Sequence, residues 1–161
     1  MKDAQDRGAA GLGLGDQGQD DLPVRWARKV VGDDMVIGTR SGQTDVNVAD
    51  SELVFVGYGV NAPERGWNDY EGVDMAGKTA VILVNDPDYE TADLIGPFNG
   101  RAMTYYGRWT YKFEEAARRG AIGAIIVHET EGAGYGWNVV QSAAGENFNI
   151  VLPAGATQPV L

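Results

Sequence analysis

The stretch from residue 100 to residue 128 most narrowly limits what this chain can fold into. Its middle part predicts a helix, because apolar side chains recur at i, i+4, i+7 and i+8 and so share one stripe. The stripe consists of Trp109, Phe113, Ala116 and Ala117. We expect this stripe, and Trp109 in particular, to face a core, and we expect Gly120 to end the helix.

The opposite face of this helix carries paired charges. Glu114 and Glu115 lie four residues before Arg118 and Arg119, which is the order that stabilises an exposed helix surface. The two arginines also complement the negative end of the helix dipole. All four side chains are therefore predicted to face solvent.

Buried-type strands stand on both sides of the helix. Continuous apolar runs rich in β-branched residues occur at Ala121–Val127, AIGAIIV, and at Lys78–Asn85, KTAVILVN. Asp86-Pro87 ends the earlier run. A further strand is expected at Ser51–Val60, with Gly57 and Gly59 allowing it to bend. The central unit is thus predicted to be strand, connection, helix, strand.

Shorter strands are expected at 22–31, 34–37 and 44–48, the last because it alternates with period two. Many short strands with one main helix predict an α+β domain built as a β-sandwich or a partly open β-barrel. Residues 1–21 are rich in glycine and polar side chains, which predicts a flexible lead-in.

Two long segments resemble one known family. They are GYGVNAPERGWNDYEGVDMAGKTAVILVNDPDY at Gly57–Tyr89 and GRAMTYYGRWTYKFEEAARRGAIGAIIVHETEGAGYGWNVVQS at Gly100–Ser142. Both are similar to the protease-associated domain of bacterial zinc-dependent aminopeptidases, a group related to aminopeptidase Y, glutamate carboxypeptidase and the transferrin receptor. The resemblance covers roughly residues 50–142. It implies a protease-associated domain over 22–155 and a tail, 156–161, that leads toward a peptidase domain.

The resemblance implies a non-catalytic role. Such domains lie over the catalytic cleft of the peptidase and shape substrate access, and the peptidase domain and peptide substrate are then the expected partners. Zinc is expected in that peptidase domain and no cofactor in this chain. The resemblance also admits dimerisation, and it implies an exported parent protein whose signal lies outside this chain.

Composition excludes several classes of function. Thirteen basic residues against twenty-three acidic ones argue against a nucleic-acid or anionic-membrane partner. No apolar run approaches the roughly 20 residues that span a bilayer. The chain has no cysteine and one histidine, His128, which cannot supply the ligand set of a two-zinc hydrolase. We therefore predict no catalytic and no metal-binding residue, and no enzymatic activity for the isolated chain.

Other motifs are weaker. The GxGxxG match at 13–18 and the GxGxxA match at 57–62 lack the strand and helix that a dinucleotide site requires. No serine lies in a GxSxG turn. Oxygen ligands for calcium could come from Asn85, Asp86, Asp88 and Glu90, but their order is not that of an EF-hand, and a solvated acidic turn is preferred.

A basic and aromatic stretch at Phe98–Lys112 is the candidate binding surface. Its arginines could clamp a peptide carboxylate, and its aromatic rings offer rigid contact area. The alternative is that its basic groups pair with Glu114 and Glu115. The predicted cleft-facing residues are Asn99, Gly100, Arg101 and Arg108. A second reading of the whole chain is a free-standing module that binds peptide or carbohydrate through Trp67, Tyr135 and Trp137.

Overall fold

The structure is a computed structural model that describes residues 31–39, 45–91 and 95–142. These residues form a mixed α+β fold with two small sheets. The predicted strand at 34–37 is wrong, because the described residues pair there only through an isolated bridge between Val31 and Met35. The predicted strand at 44–48 is wrong over its described part, since residues 45–48 form no strand. The predicted lead-in at 1–21, all but the last residue of the predicted strand at 22–31, residue 44 and the predicted tail at 156–161 lie outside the described residues.

The main sheet consists of three parallel strands, β1 (Leu53–Phe55), β4 (Thr79–Leu83) and β5 (Gly123–Val127). The strand β4 lies at the centre, between β1 and β5. Ala80 of the central strand is level with Val54 on one side and Ala124 on the other. The helix α1 (Trp109–Arg118) joins β4 to β5. The predicted strand, connection, helix, strand unit is therefore confirmed.

The strand β1 is shorter than predicted. It ends at Phe55, and Gly57 and Gly59 then adopt positive φ angles of 56° and 62°. The turn brings Gly59 against the central strand, where an added Cβ would lie 2.9 Å from a methyl carbon of Ile82. Glycine is required there by both the backbone angle and the close approach.

The core lies between the sheet and α1. Its buried members are Val56, Tyr70, Met75, Ala80, Ile82 and Ala116. The other face of the sheet is largely open, since Leu53 and Phe55 are 62% and 63% exposed and Ile125 and Val127 are also exposed.

The orientation of α1 differs from the prediction. Phe113 is 44% exposed, Ala117 is exposed and Trp109 is half-buried, so of the predicted stripe Ala116 alone is fully buried. The helix instead buries Tyr111, Lys112 and Glu115 beside Ala116. The hydrophobic periodicity predicted the wrong buried face because it assigns lysine and glutamate to the exposed side of a helix. Here the charged groups of Lys112 and Glu115 have hydrogen-bond partners, so both side chains are buried.

The second sheet is a short antiparallel pair, β2 (Asn61–Ala62) and β3 (Trp67–Asn68), joined by a 3-10 turn at Pro63–Arg65. It packs on a second cluster that contains Val60, Ala62, Phe98 and Tyr111. Two short helices follow β5, namely α2 (Thr130–Ala133) and α3 (Trp137–Ser142). The described strands do not close into a barrel. No helix in the described ranges combines the length and apolar character needed to cross a bilayer.

Candidate functional site

The carboxyl edge of the parallel sheet carries the candidate site. The strands β4 and β5 end side by side at Leu83 and Val127, which are level with each other. The segments that follow them, together with the loop from Ile95 to Arg108, meet at this edge. In open sheets with parallel strands, ligands bind at the carboxyl ends of the strands. We name this region the edge cleft.

The edge cleft is a partly open cavity of about 150 Å³. Its lining comes from three separate segments of the chain. The lining residues are Asn85, Tyr89, Arg101, Glu131, Gly132, Ala133 and Gly134.

Asp86 and Asp88 hold the loop that supplies Arg101. Asp86 is fully buried, and its two carboxylate oxygens accept hydrogen bonds from the backbone N–H and the hydroxyl of Thr104 at 2.6 and 3.1 Å. Asp88 accepts a hydrogen bond of 2.9 Å from the backbone N–H of Phe98. Burial raises the pKa of Asp86 above its ordinary value, although the bonds from Thr104 act in the opposite direction.

The predicted solvated acidic turn is therefore wrong for Asp86, which is a buried anchor. The described residues contain no group of three or more histidines, cysteines or acidic residues placed to hold a metal ion. The two aspartates hold the 98–104 loop, Asp88 at Phe98 and Asp86 at Thr104.

Lys112 of α1 stabilises the same edge of the main sheet. Its buried ammonium group donates hydrogen bonds of 2.6 Å to the carbonyl oxygen of Tyr58 and 2.9 Å to that of Asn85. Burial lowers the pKa of Lys112 to about 8, while the nearby carboxylates of Asp86 and Asp69 act in the opposite direction. The lysine thereby ties α1 to the turn after β1 and to the loop after β4.

Asn85 forms the floor of the edge cleft. It has a positive φ angle of 74°, a conformation that asparagine tolerates better than most residues. Its side-chain nitrogen donates to the carbonyl oxygen of Gly132, and its side-chain oxygen accepts a hydrogen bond of 2.7 Å from the backbone N–H of Asp86. The two loops that follow β4 and β5 are therefore joined through one amide side chain.

The predicted binding residues separate into two groups. Asn99, Gly100 and Arg101 share one turn, closed by a 3.3 Å hydrogen bond from the N–H of Ala102 to the carbonyl of Asn99. Of these three, Arg101 lines the edge cleft. Arg108 is exposed at the residue before α1 and does not line the cleft.

Sequence reasoning missed two groups at this edge. Glu131 also lines the cleft, and its charge is opposite to that of Arg101. It lies four residues after the end of β5. Its position just beyond a predicted parallel strand was the available signal. The buried position of Lys112 had no such signal, because it depends on carbonyl groups that lie 27 and 54 residues away along the chain.

His128 lies half-buried between aromatic rings. Its ring centroid is 5.5 Å from that of Tyr135 and 5.8 Å from that of Trp137. Neither ring nitrogen has a hydrogen-bond partner in the structure. These contacts fit the structural role that the sequence favoured for this histidine.

The aromatic residues of the alternative reading fall into two clusters. Trp67 packs edge to face on Phe98 at 5.8 Å, and its ring N–H donates to Asp69. Tyr135 packs on Trp109, also at 5.8 Å, whereas the Trp137 ring N–H donates to the carbonyl of Gly32. No ring contact joins Trp67 to Tyr135 or Trp137 within the described parts of the chain.

Comparison of the chain with protein-family models, curated proteins and solved structures found no match.

Proposed function

We propose that the chain is a non-catalytic protease-associated domain of a zinc-dependent aminopeptidase, which lies over the active-site cleft of the peptidase and restricts substrate access. The proposal includes the finer fold of that family, a sandwich or partly open barrel. The resemblance of Gly57–Tyr89 and Gly100–Ser142 motivates it. The α+β architecture with its parallel strand, helix, strand unit is compatible with it.

The observation that carries the proposal is the way the edge loop is held. Asp86 fixes Thr104 and Asp88 fixes Phe98, so the intervening turn with Arg101 is anchored at both ends by buried or half-buried carboxylates. Arg101 itself is exposed. A rigid loop that presents an unburied guanidinium suits recognition of a peptide carboxylate better than it suits chemistry.

Hydrolysis in this proposal belongs to the peptidase domain, where zinc is expected. The whole chain offers one histidine and no cysteine, too few for a two-zinc ligand set by itself. The chain would contribute shape, charge and contact area at the entrance to the active site. Its partners would be the peptidase domain and the peptide substrate.

The coding sequence beyond Leu161 tests this proposal directly. A reading frame that continues into a segment with paired His, Asp and Glu ligands would support it. The corresponding protein, purified with zinc, should then release N-terminal residues from peptides. A stop codon, with no peptidase encoded in the same frame, would contradict the proposal and favour the free-standing binding module.

A further inference from the structure

Most polar groups around the edge cleft are already used by the protein. The N–H groups of Glu131 and Gly132 donate to the carboxylate of Glu129, and the N–H groups of Ala133 and Gly134 donate to backbone carbonyls. The backbone of this turn therefore has no free N–H with which to bind an anion.

The side chain at the floor of the cleft is used as well. The amide of Asn85 is engaged at both its nitrogen and its oxygen. This amide shapes the cleft and leaves the recognition of a ligand to other side chains.

Two charged side chains of the lining remain free. Within the described residues, neither the guanidinium of Arg101 nor the carboxylate of Glu131 has a hydrogen-bond or ion-pair partner. They carry opposite charges and line the same cavity. A ligand that satisfies both must present an anionic and a cationic group together.

The size of the cavity limits that ligand. Its volume of about 150 Å³ is below the roughly 300 Å³ at which drug-sized pockets begin. A compact ligand fits inside the cavity, whereas most of an extended peptide or an oligosaccharide would lie outside it.

We propose that the edge cleft binds the zwitterion of a free α-amino acid, with Arg101 pairing with its carboxylate and Glu131 with its ammonium group. The ring of Tyr89 forms one wall beside the bound molecule. Arginine is suited to this role because its planar fork matches both oxygens of a carboxylate.

The surrounding charges exclude other ligand classes. Glu129 and Glu131 repel a phosphate, which in addition finds no free backbone N–H in the turn. Arg101 repels a divalent cation. A neutral sugar leaves both charges unpaired. Binding of an amino acid needs no peptidase domain, so this inference stands or fails separately from the proposed function.

Calorimetric or NMR titration of the 161-residue chain tests the inference, with L-alanine and L-leucine as probes in the millimolar range. We expect saturable binding of at least one of them. The matching amino acid amide, which lacks the carboxylate, and the N-acetyl amino acid, which lacks the ammonium group, should bind about tenfold more weakly or not at all. A dipeptide that binds more tightly than either free amino acid would overturn the assignment.

Substitutions at the cleft provide the second arm. Arg101→Gln and Glu131→Gln should each weaken binding about tenfold or more. The matched control is Glu71→Gln, at an exposed residue that does not line the cleft, and it should leave the affinity unchanged. Circular dichroism checks that all three variants fold. Absence of binding by the wild-type chain, or equal weakening by the control, would contradict the inference.

Discussion

The ammonium group of Lys112 lies 2.9 Å from the carbonyl oxygen of Asn85, deep inside the fold. Through this contact the main helix supports the residue that forms the floor of the edge cleft. The same ammonium group also bonds the carbonyl of Tyr58, so three chain segments meet at one charge. The stability and pH response of the domain should therefore depend on this lysine.

Replacing Lys112 with methionine should lower the free energy of unfolding by about 2–3 kcal/mol, because two buried carbonyl groups lose their donor. Urea denaturation measures the change. The control is Lys78→Met, which removes a partly exposed ion pair to Glu52 and should cost less than about 1 kcal/mol. Equal effects of the two substitutions would show that the buried contacts of Lys112 contribute little.

The stability of the domain should rise as the pH increases from about 8 to about 10. Burial lowers the pKa of Lys112 to about 8, so over this range the unfolded chain binds a proton that the folded chain does not. The free energy of unfolding therefore increases with pH. Urea denaturation across this range measures the slope, which Lys112→Met should remove.

Above about pH 10 the trend should reverse. Burial raises the pKa of Tyr111 to about 12 and also raises the pKa of Tyr70, so the unfolded chain loses these protons first. Stability then falls as the pH rises further. A wild-type curve that falls steadily from pH 8 would contradict the assignment of the lowered pKa to Lys112.

The two glutamates of α1 should contribute unequally to the stability of the domain. Glu115 is 5% exposed and accepts hydrogen bonds of 2.8 and 2.9 Å from Arg118 and Arg119. Glu115→Gln should lower the free energy of unfolding by about 1–2 kcal/mol, since a buried charge-assisted pair is weakened. Glu114, whose closest ion pair is 3.6 Å long, should tolerate the same change at a cost below about 1 kcal/mol. Thermal or urea denaturation that ranks them in reverse would contradict the observed helix orientation.

Two glycines with nearly the same φ angle distinguish the cost of backbone strain from the cost of steric crowding. Gly59 and Gly66 have φ angles of 62° and 66°, but an added Cβ meets Ile82 at 2.9 Å in the first case and nothing within 4 Å in the second. Gly66→Ala should cost about 1 kcal/mol from the left-handed backbone alone. Gly59→Ala should cost about 1–3 kcal/mol more because of overpacking. The difference between the two unfolding free energies is the test, and a difference near zero would contradict the close approach.

The sequence was a good guide to the strands of the main sheet. Thr79–Leu83 and Gly123–Val127 lie inside apolar runs, so local pattern was sufficient to locate both strands. Such runs predict strands buried on both faces, which is wrong for Gly123–Val127, because Ile125 and Val127 are exposed on the open face of the sheet. The helix between them was also located correctly. Its orientation was not, because Lys112 and Glu115 are buried through partners that pattern alone does not reveal.

The candidate site could be predicted in part. Arg101 stood out because a basic and aromatic stretch interrupts an acidic chain, and the structure places it in the cleft lining. Glu131 did not, because its position just after a predicted parallel strand does not by itself distinguish it from other surface acids. The cleft exists because loops from distant parts of the chain are joined through Asn85, and such contacts depend on the complete fold.

The steady-state kinetics of the proposed parent aminopeptidase test the central claim most directly. We predict that Arg101→Ala changes kcat/KM for at least some peptide substrates, whereas Glu71→Ala, an exposed change that does not line the edge cleft, has no effect. A kcat/KM for Arg101→Ala equal to that of the wild type across a panel of peptides would contradict a role for this edge in substrate access.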